Sequence, residues 1–336
     1  MRLSRPASEI HANIAPARPR PSRARKLLPL LGLLLLAWVL SQLDLGAMRA
    51  AFGRIAAASV ALACAFFTLN LWLKVARWQR LLRAQGIALP HRVALAAFLS
   101  SQFYAQVTVG RVGEFLRIEA LLERGVSPGT ALAACVFDRL LDLYVVLGAG
   151  LCFGAFWLGD LRLASVAGLI MLGLAALGVW TMRLLDRDPP PAWLERSARR
   201  PLLARLLRHA RELVQGVRPM LAPGPLLEAA GWTLSAWYLY LVALFVLAAG
   251  LQIDVSRVLL TATAAFAALS SLLPVTISGL GARELIYIEV LRARGVSGEA
   301  AATLSLLHLA VMTALAIGLG LLGTLWRARQ RRAGEI

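Results

Sequence analysis

The stretch "ERGVSPGTALA", Glu123 to Ala133, returns almost unchanged as "ARGVSGEAAAT", Ala293 to Thr303. A shift of 170 positions superposes the two, and the match extends backwards to put Glu114 on Glu284, Ile118 on Ile288, Glu119 on Glu289 and Leu121 on Leu291. Nine of the eighteen positions from 114 to 131 are identical without a gap, and Ser100–Ser101 fall on Ser270–Ser271. A unit carried twice, half the chain apart, predicts a fold made of two related halves.

The solvent of that fold follows from composition. Hydrophobic residues make up 59% of the chain and the mean hydropathy is +0.69, whereas a soluble domain is about half apolar. Apolar runs of bilayer-spanning length, about 20 residues in a helix, recur along the chain. The class is therefore an all-α polytopic membrane protein. The net charge of +18 excludes no membrane fold, because Arg in cytoplasmic loops is what the positive-inside rule demands; nucleic acid is not an expected partner. Cys64, Cys135 and Cys152 lie within apolar runs and read as small buried hydrophobes. No metal site and no cofactor is expected, and His308 reads as a packing residue.

Residues 1–26 form a basic tail with seven Lys/Arg and one acid, expected to be disordered and cytoplasmic. Apolar helices follow at about 27–43, 55–73, 131–158, 162–182, 226–250 and 301–326, giving about six full crossings. Two more apolar stretches, 93–109 and 258–275, each run into a Gly-rich polar segment and a short charged helix. Charge decides how these two are placed. The N-tail, 74–92, 183–225 and 327–336 hold 25 of the 36 Lys/Arg. If both stretches are re-entrant hairpins (93–125 and 258–295), all four basic segments fall on the cytoplasmic side. The outer loops at 44–54, 159–162 and 251–257 then hold only four Arg. Full crossings would instead expel the nine basic residues of 183–225, against the positive-inside rule.

The expected organisation is a first membrane half at 27–182, a basic cytoplasmic loop at 183–225, a second half at 226–326 and a basic tail at 327–336. Three crossings separate the two copies, so the second is inverted, which is how many secondary transporters are built. Ser127, followed by Pro128, and Ser297, with Glu299 in the first turn, are expected to cap matching helices. Segment 192–220 carries Leu203, Leu206, Leu207, Ala210, Val214 and Val217 at helical spacing between Arg205, Arg208 and Arg211. It reads as an amphipathic helix in the plane of the anionic inner leaflet, or as a solvated basic linker.

Three constellations carry chemistry. The first tip is "QVTVGRVGEFLRIE", Gln106 to Glu119. Gly110 and Gly113 permit a tight turn, and a helix opening there would aim its N–H groups at the tip. Arg111 and Arg117 could then grip a phosphate, with Glu114 as an alternative partner for Arg117. The second tip is "LLPVTISGLGARELIYIE", Leu272 to Glu289. Pro274 breaks the helix, Gly279 and Gly281 free the backbone, and Arg283 and Glu284 echo Arg111 and Glu114. The third is "FDRLLDLY", Phe137 to Tyr144, where Asp138, Arg139 and Asp142 can share a helix face. A charge at the bilayer centre costs about 2.5–3.5 kcal/mol on insertion scales. Either Arg139 and Asp142 form a structural pair, or these groups serve a polar site. Asp138 is left needing a partner, for which a tip Arg is the candidate.

The motifs "VGRVGEFLR", "DRLLD" and "LPVTISGLGARE", in this order and with "RGVS" between them, resemble the flippase-like transmembrane domain of lysylphosphatidylglycerol synthases. The resemblance runs from about residue 30 to 326. It departs at Val109, where the family has Pro, and at Ser278, where it has Gly. It implies movement of a phospholipid or related amphiphile between leaflets, through Arg111, Gly113, Glu114, Arg139, Asp142, Gly281 and Glu284. No aminoacyl-transfer domain is present in these residues, so no lysyl-lipid product is expected.

The expected activity is that of a lipid translocator and not of an enzyme, working in a bacterial inner membrane with both termini cytoplasmic. An accessory protein handing lipid precursors to a biosynthetic partner enzyme is the alternative, and a lipid-linked transferase ranks third. A second copy of the chain is left open as a partner.

Overall fold

The computed structural model describes residues 33–185, 201–271 and 279–332. The basic tail 1–26, the start of the amphipathic segment, Pro274 and Ser278 of the second tip, and the last four residues lie outside them. Among the described residues every regular element is helical.

The described residues begin with α1 (Leu33–Ser41), which turns through 95° into α2 (Leu45–Arg54). Asp44 makes that corner, its carboxylate accepting from the N–H groups of Gly46 at 2.7 Å and Ala47 at 3.1 Å. The expected outer loop 44–54 is thus mostly a helix. Next come α3 (Ala57–Ala84), α4 (His91–Val107), a 3₁₀ segment at Val109–Ile118, and the single turn α5 (Glu119–Leu122). The first half closes with α6 (Pro128–Leu158) and α7 (Leu161–Leu185). Then follow α8 (Pro201–Val217), α9 (Pro223–Gly250), α10 (Arg257–Ser270), α11 (Ala282–Arg292) and α12 (Gly298–Arg332).

Four helices, α3, α7, α9 and α12, are long and apolar enough to cross a bilayer, and α1 with α2 would make a fifth if the bent pair is one span. α6 has 31 residues, a rise of about 46 Å against a hydrocarbon core of about 30 Å. Only 11% of the apolar window of α7 is buried, and Leu169 and Leu172 on it are exposed. In water such a helix would aggregate; in hydrocarbon it is at home. The chain is a multi-pass membrane protein.

The helix starts follow the sequence. Ser127 Oγ accepts from the Thr130 N–H at 3.3 Å ahead of Pro128, and Ser297 Oγ accepts from the Ala300 N–H at 3.2 Å. Two expectations need correction. The helix expected to end near residue 73 continues to Ala84, because Val75, Trp78, Leu81 and Leu82 recur at helical spacing and are all buried. Lys74 and Arg77 therefore belong to a helix long and apolar enough to cross a bilayer and leave the count of loop charges. The second correction concerns α8, the C-terminal end of whose apolar face packs on protein. Leu213 and the buried Val217 join a cluster with Ala133 and Phe137 of α6 and Leu81 of α3, and a Cβ on Gly216 would come within 2.6 Å of Ala133 Cβ.

The two short helices are exchanged between the halves. α4 lies against α12, so close at Gly320 that a Cβ there would sit 2.5 Å from Phe103 Cβ. α10 lies against α6, where Cβ atoms on Gly150 and Gly154 would approach Ala265 and Phe266 within 3.5 and 3.2 Å. The shift of 170 positions that superposes the repeats also takes Gly150 to Gly320. Small residues at such crossings let helix backbones pack closely without a hydrophobic driving force.

Candidate functional site

The first tip forms differently from the expected helix. Val109–Ile118 winds as a 3₁₀ helix, and α-helical winding resumes only at Glu119. No α-helix N-terminus faces the tip. Thr108 sets the reversal: its hydroxyl donates to Tyr104 O at 2.8 Å and accepts from the Gly113 N–H at 2.8 Å. Gly113 is required there, because a Cβ would stand 2.3 Å from the Tyr104 carbonyl carbon. Arg111 takes a left-handed φ of 57°, a conformation uncommon outside Gly, Asn and Asp.

This turn presents Arg111, Glu114 and Arg117, of which Glu114 and Arg117 pair with charges on α6. Arg117 is fully buried and its Nη2 donates to Asp138 Oδ2 at 2.6 Å. Its guanidinium lies 5.1 Å from the Trp78 ring and 5.0 Å from the Phe98 ring, and its Nε donates to Cys135 Sγ at 3.2 Å. The reading of Arg117 as a ligand-gripping group, or as the partner of Glu114, is corrected accordingly: both its faces and its charge are occupied inside the protein. Glu114 instead takes Arg111, whose Nε donates at 2.6 Å, and Arg139.

Arg77 of α3 stands at the centre. It donates from Nε to Asp138 Oδ1 at 2.7 Å, and from Nη1 to Asp142 Oδ1 at 2.7 Å and Thr233 Oγ1 at 2.9 Å. Lys74, one turn earlier, donates to Asp142 Oδ2 at 3.2 Å. Asp138 has the tip Arg expected of it, Arg117, and Arg77 besides. The Arg139–Asp142 pair read from spacing is only a 3.7 Å contact; Asp142 is held mainly by α3. Lys74 and Arg77 were missed because 74–92 reads as a basic loop in composition. The signal that could have placed them is the apolar period that continues past residue 73.

The second tip builds a separate buried group on α11 and α12. Gly281 has φ 84°, and its N–H donates to Glu284 Oε2 at 2.7 Å, so Glu284 turns back on the start of its own helix. Ser305 bridges, donating to Glu284 Oε1 at 2.9 Å and accepting from Arg283 Nε at 3.3 Å. Arg283 Nη2 also donates to His308 Nδ1, and its guanidinium lies 5.6 Å from the Tyr287 ring. Because an Arg can only donate, Nδ1 accepts and the ring proton of neutral His308 sits on Nε2. The ring stacks on Phe67 at 5.3 Å. The shift of 170 takes Asp138 to His308, Cys135 to Ser305 and Arg117 to Tyr287. Tyr287 Oη lies 3.3 Å from His308 Nδ1, so one tip position meets the same long-helix position in both halves, as the ion pair Arg117–Asp138 in the first and as the contact Tyr287–His308 in the second.

Between the two groups lies a cavity of about 290 Å³. Lys74, Arg111, Arg139, Asp142 and Arg283 reach it, with Gln102, Gln106, Asn70 and Tyr240, and its other walls include Phe115, Leu140, Trp237 and Met312. Of the expected site residues, Arg111, Arg139, Asp142 and Arg283 line this space. Glu114 and Asp138 hold the lining cations from behind, Arg117 and Glu284 brace the tips, and Gly113 and Gly281 shape the backbone. A concave site with apolar walls and a few convergent charges is what a ligand site requires.

Comparison with curated proteins finds no match to this chain. Residues 27–320 match a protein family described as the lysylphosphatidylglycerol synthase TM region. That range covers both tips, both buried groups and every side chain lining the cavity. The chain belongs to this family of membrane regions linked to lipid handling.

Proposed function

We propose that this protein is a lipid translocator of the flippase kind, acting as a carrier and not as an enzyme. It passes a phospholipid or similar amphiphile between the leaflets of a bacterial inner membrane, with both termini cytoplasmic. The observation that carries this reading is the cavity: four cations and one carboxylate converge on it from both halves of the chain. Charges are rare within membrane-spanning bundles and mark substrate paths when they occur.

The surroundings support a lipid in particular. Leu140 lines the cavity and is 49% exposed, and Val112 and Leu116 on the tip are exposed too. A head group can enter between the tip and α6 while its acyl chains stay in the bilayer. In this reading the six crossings and two re-entrant hairpins form an inverted repeat. Its tips approach the cavity from opposite sides, and alternating access comes from rocking the two halves about it.

The test uses purified full-length protein in liposomes containing a fluorescent phospholipid, with a membrane-impermeant quencher added outside. Protein-dependent quenching of the inner-leaflet pool is expected, slowed at least tenfold by Arg139→Gln. Liposomes in which no phospholipid moves faster with protein than without it would overturn the proposal and favour an accessory role.

A further inference from the structure

The cavity also states what kind of head group it fits, and this inference rests on the translocator reading. Six cations form the two buried groups around it: Lys74, Arg77, Arg111, Arg117, Arg139 and Arg283. Four carboxylates oppose them: Glu114, Asp138, Asp142 and Glu284. Among the described residues the surplus is two positive charges. Arg283 is the least compensated, being buried with Ser305, His308 and the Tyr287 ring as partners and no carboxylate among them.

A second observation is independent of charge. Gln102 Nε2, Arg139 Nε and Trp237 Nε1 are buried donors on residues lining the cavity, and none has an acceptor. The amide of Gln102 is oriented by its own oxygen, which accepts from Arg111 Nη2 at 3.4 Å. Among the described residues no side chain lining the cavity carries a buried acceptor without a donor. A buried donor left unpaired costs about 1–3 kcal/mol, so the site favours an occupant that only accepts.

We propose that the head group bound here is a phosphomonoester carried on a lipid. A phosphomonoester has about −1.5 to −2 charge at pH 7 and three acceptor oxygens. It neutralises the surplus and supplies acceptors where the protein has only donors. A phosphodiester leaves one positive charge uncompensated. An aminoacylated lipid, the cargo the family description suggests, adds a cation and further donors to a site already in excess of both.

Binding is measured on the full chain in detergent by native mass spectrometry, with dioleoyl phosphatidate, phosphatidylglycerol, lysylphosphatidylglycerol and inorganic phosphate as probes. Phosphatidate is expected to bind at least tenfold tighter than phosphatidylglycerol at pH 7.5, with the lysyl lipid weakest. At pH 5, below the second phosphate pKa of about 6, that advantage should fall away. Arg283→Gln should narrow the preference for phosphatidate over phosphatidylglycerol, and Arg111→Gln provides the same reading should the first variant fail to fold. Equal binding of the two phospholipids, or tighter binding of the lysyl lipid, overturns the assignment. Inorganic phosphate binding as tightly as phosphatidate overturns its lipid source. Selective binding without movement in liposomes would sink the translocator and leave this inference standing; movement without selectivity would do the reverse.

Discussion

Arg117 and Arg111 stand six residues apart on one tip, yet the structure gives them opposite roles, and stability measurements separate them. Arg117 is buried, ion-paired to Asp138 at 2.6 Å and enclosed by Trp78 and Phe98. Replacing it with Met keeps much of the volume but leaves half of the Asp138 carboxylate without its donor. Removing one partner of a buried pair costs about 3–5 kcal/mol. Arg111 is 22% exposed, and its partner Glu114 keeps Arg139, so Arg111→Gln should cost only about 1 kcal/mol, the net worth of one hydrogen bond. The gap of at least about 2 kcal/mol corresponds to roughly a thirtyfold difference in the unfolding equilibrium. The assay is the monodisperse fraction surviving graded heating or denaturant in detergent, read by size-exclusion chromatography. Adding Asp138→Asn to Arg117→Met should recover part of the loss, a coupling of about 0.5–3 kcal/mol. Equal destabilisation by the two Arg substitutions, or additivity in the double variant, would refute the division into brace and lining residue.

Arg111→Gln should fold and still slow lipid movement at least tenfold in the liposome assay, whereas rescue by the added change Glu114→Gln would reduce Arg111 to an ion-pair partner. Gly113→Ala should lower the yield of folded protein severely, since the new methyl would sit 2.3 Å from the Tyr104 backbone; normal yield would mean the tip is not packed as described. Cysteines introduced at the exposed Arg208 or Arg218 should be protected from an impermeant thiol reagent outside intact cells, and labelling there would overturn the proposed topology. Cys135 is fully buried against Arg117, and in detergent it should react far more slowly than the exposed Cys152.

The fold was legible in the sequence where the signal was local. Ser127 and Ser297 cap the helices expected of them, since a cap depends only on its neighbours. The apolar runs give α6, α7 and α9 within a few residues of the expected bounds, while α3 runs on to Ala84 and α12 to Arg332. The first tip departs because "VGRVGEFLRI" carries Gly110 and Gly113, poor α-helix formers, and Gly113 packs closely on the Tyr104 backbone, which the tighter 3₁₀ winding allows. α8 shows another limit: its period correctly announced an apolar face, but periodicity cannot say whether lipid or protein covers it.

Pairing was less legible than placement, for a physical reason. Spacing on one helix suggests i,i+3 and i,i+4 partners, and it suggested Glu114 with Arg117 and Arg139 with Asp142. Inside a membrane bundle, however, the helix that buries a charge also desolvates it at a cost, and the counter-charge that offsets this cost comes from that same neighbouring helix. Asp138 and Asp142 therefore turn to Arg77 and Lys74, across the packed interface between α6 and α3. The repeat makes the same point from the other side. Its register conveys position faithfully, carrying Gly150 to Gly320 and Asp138 to His308, but not chemistry. The duplicated scaffold fixes where each tip meets its long helix. Substitution within that scaffold then made one contact ionic and the other neutral, and so left Arg283 as the buried cation with the weakest internal claim on its charge.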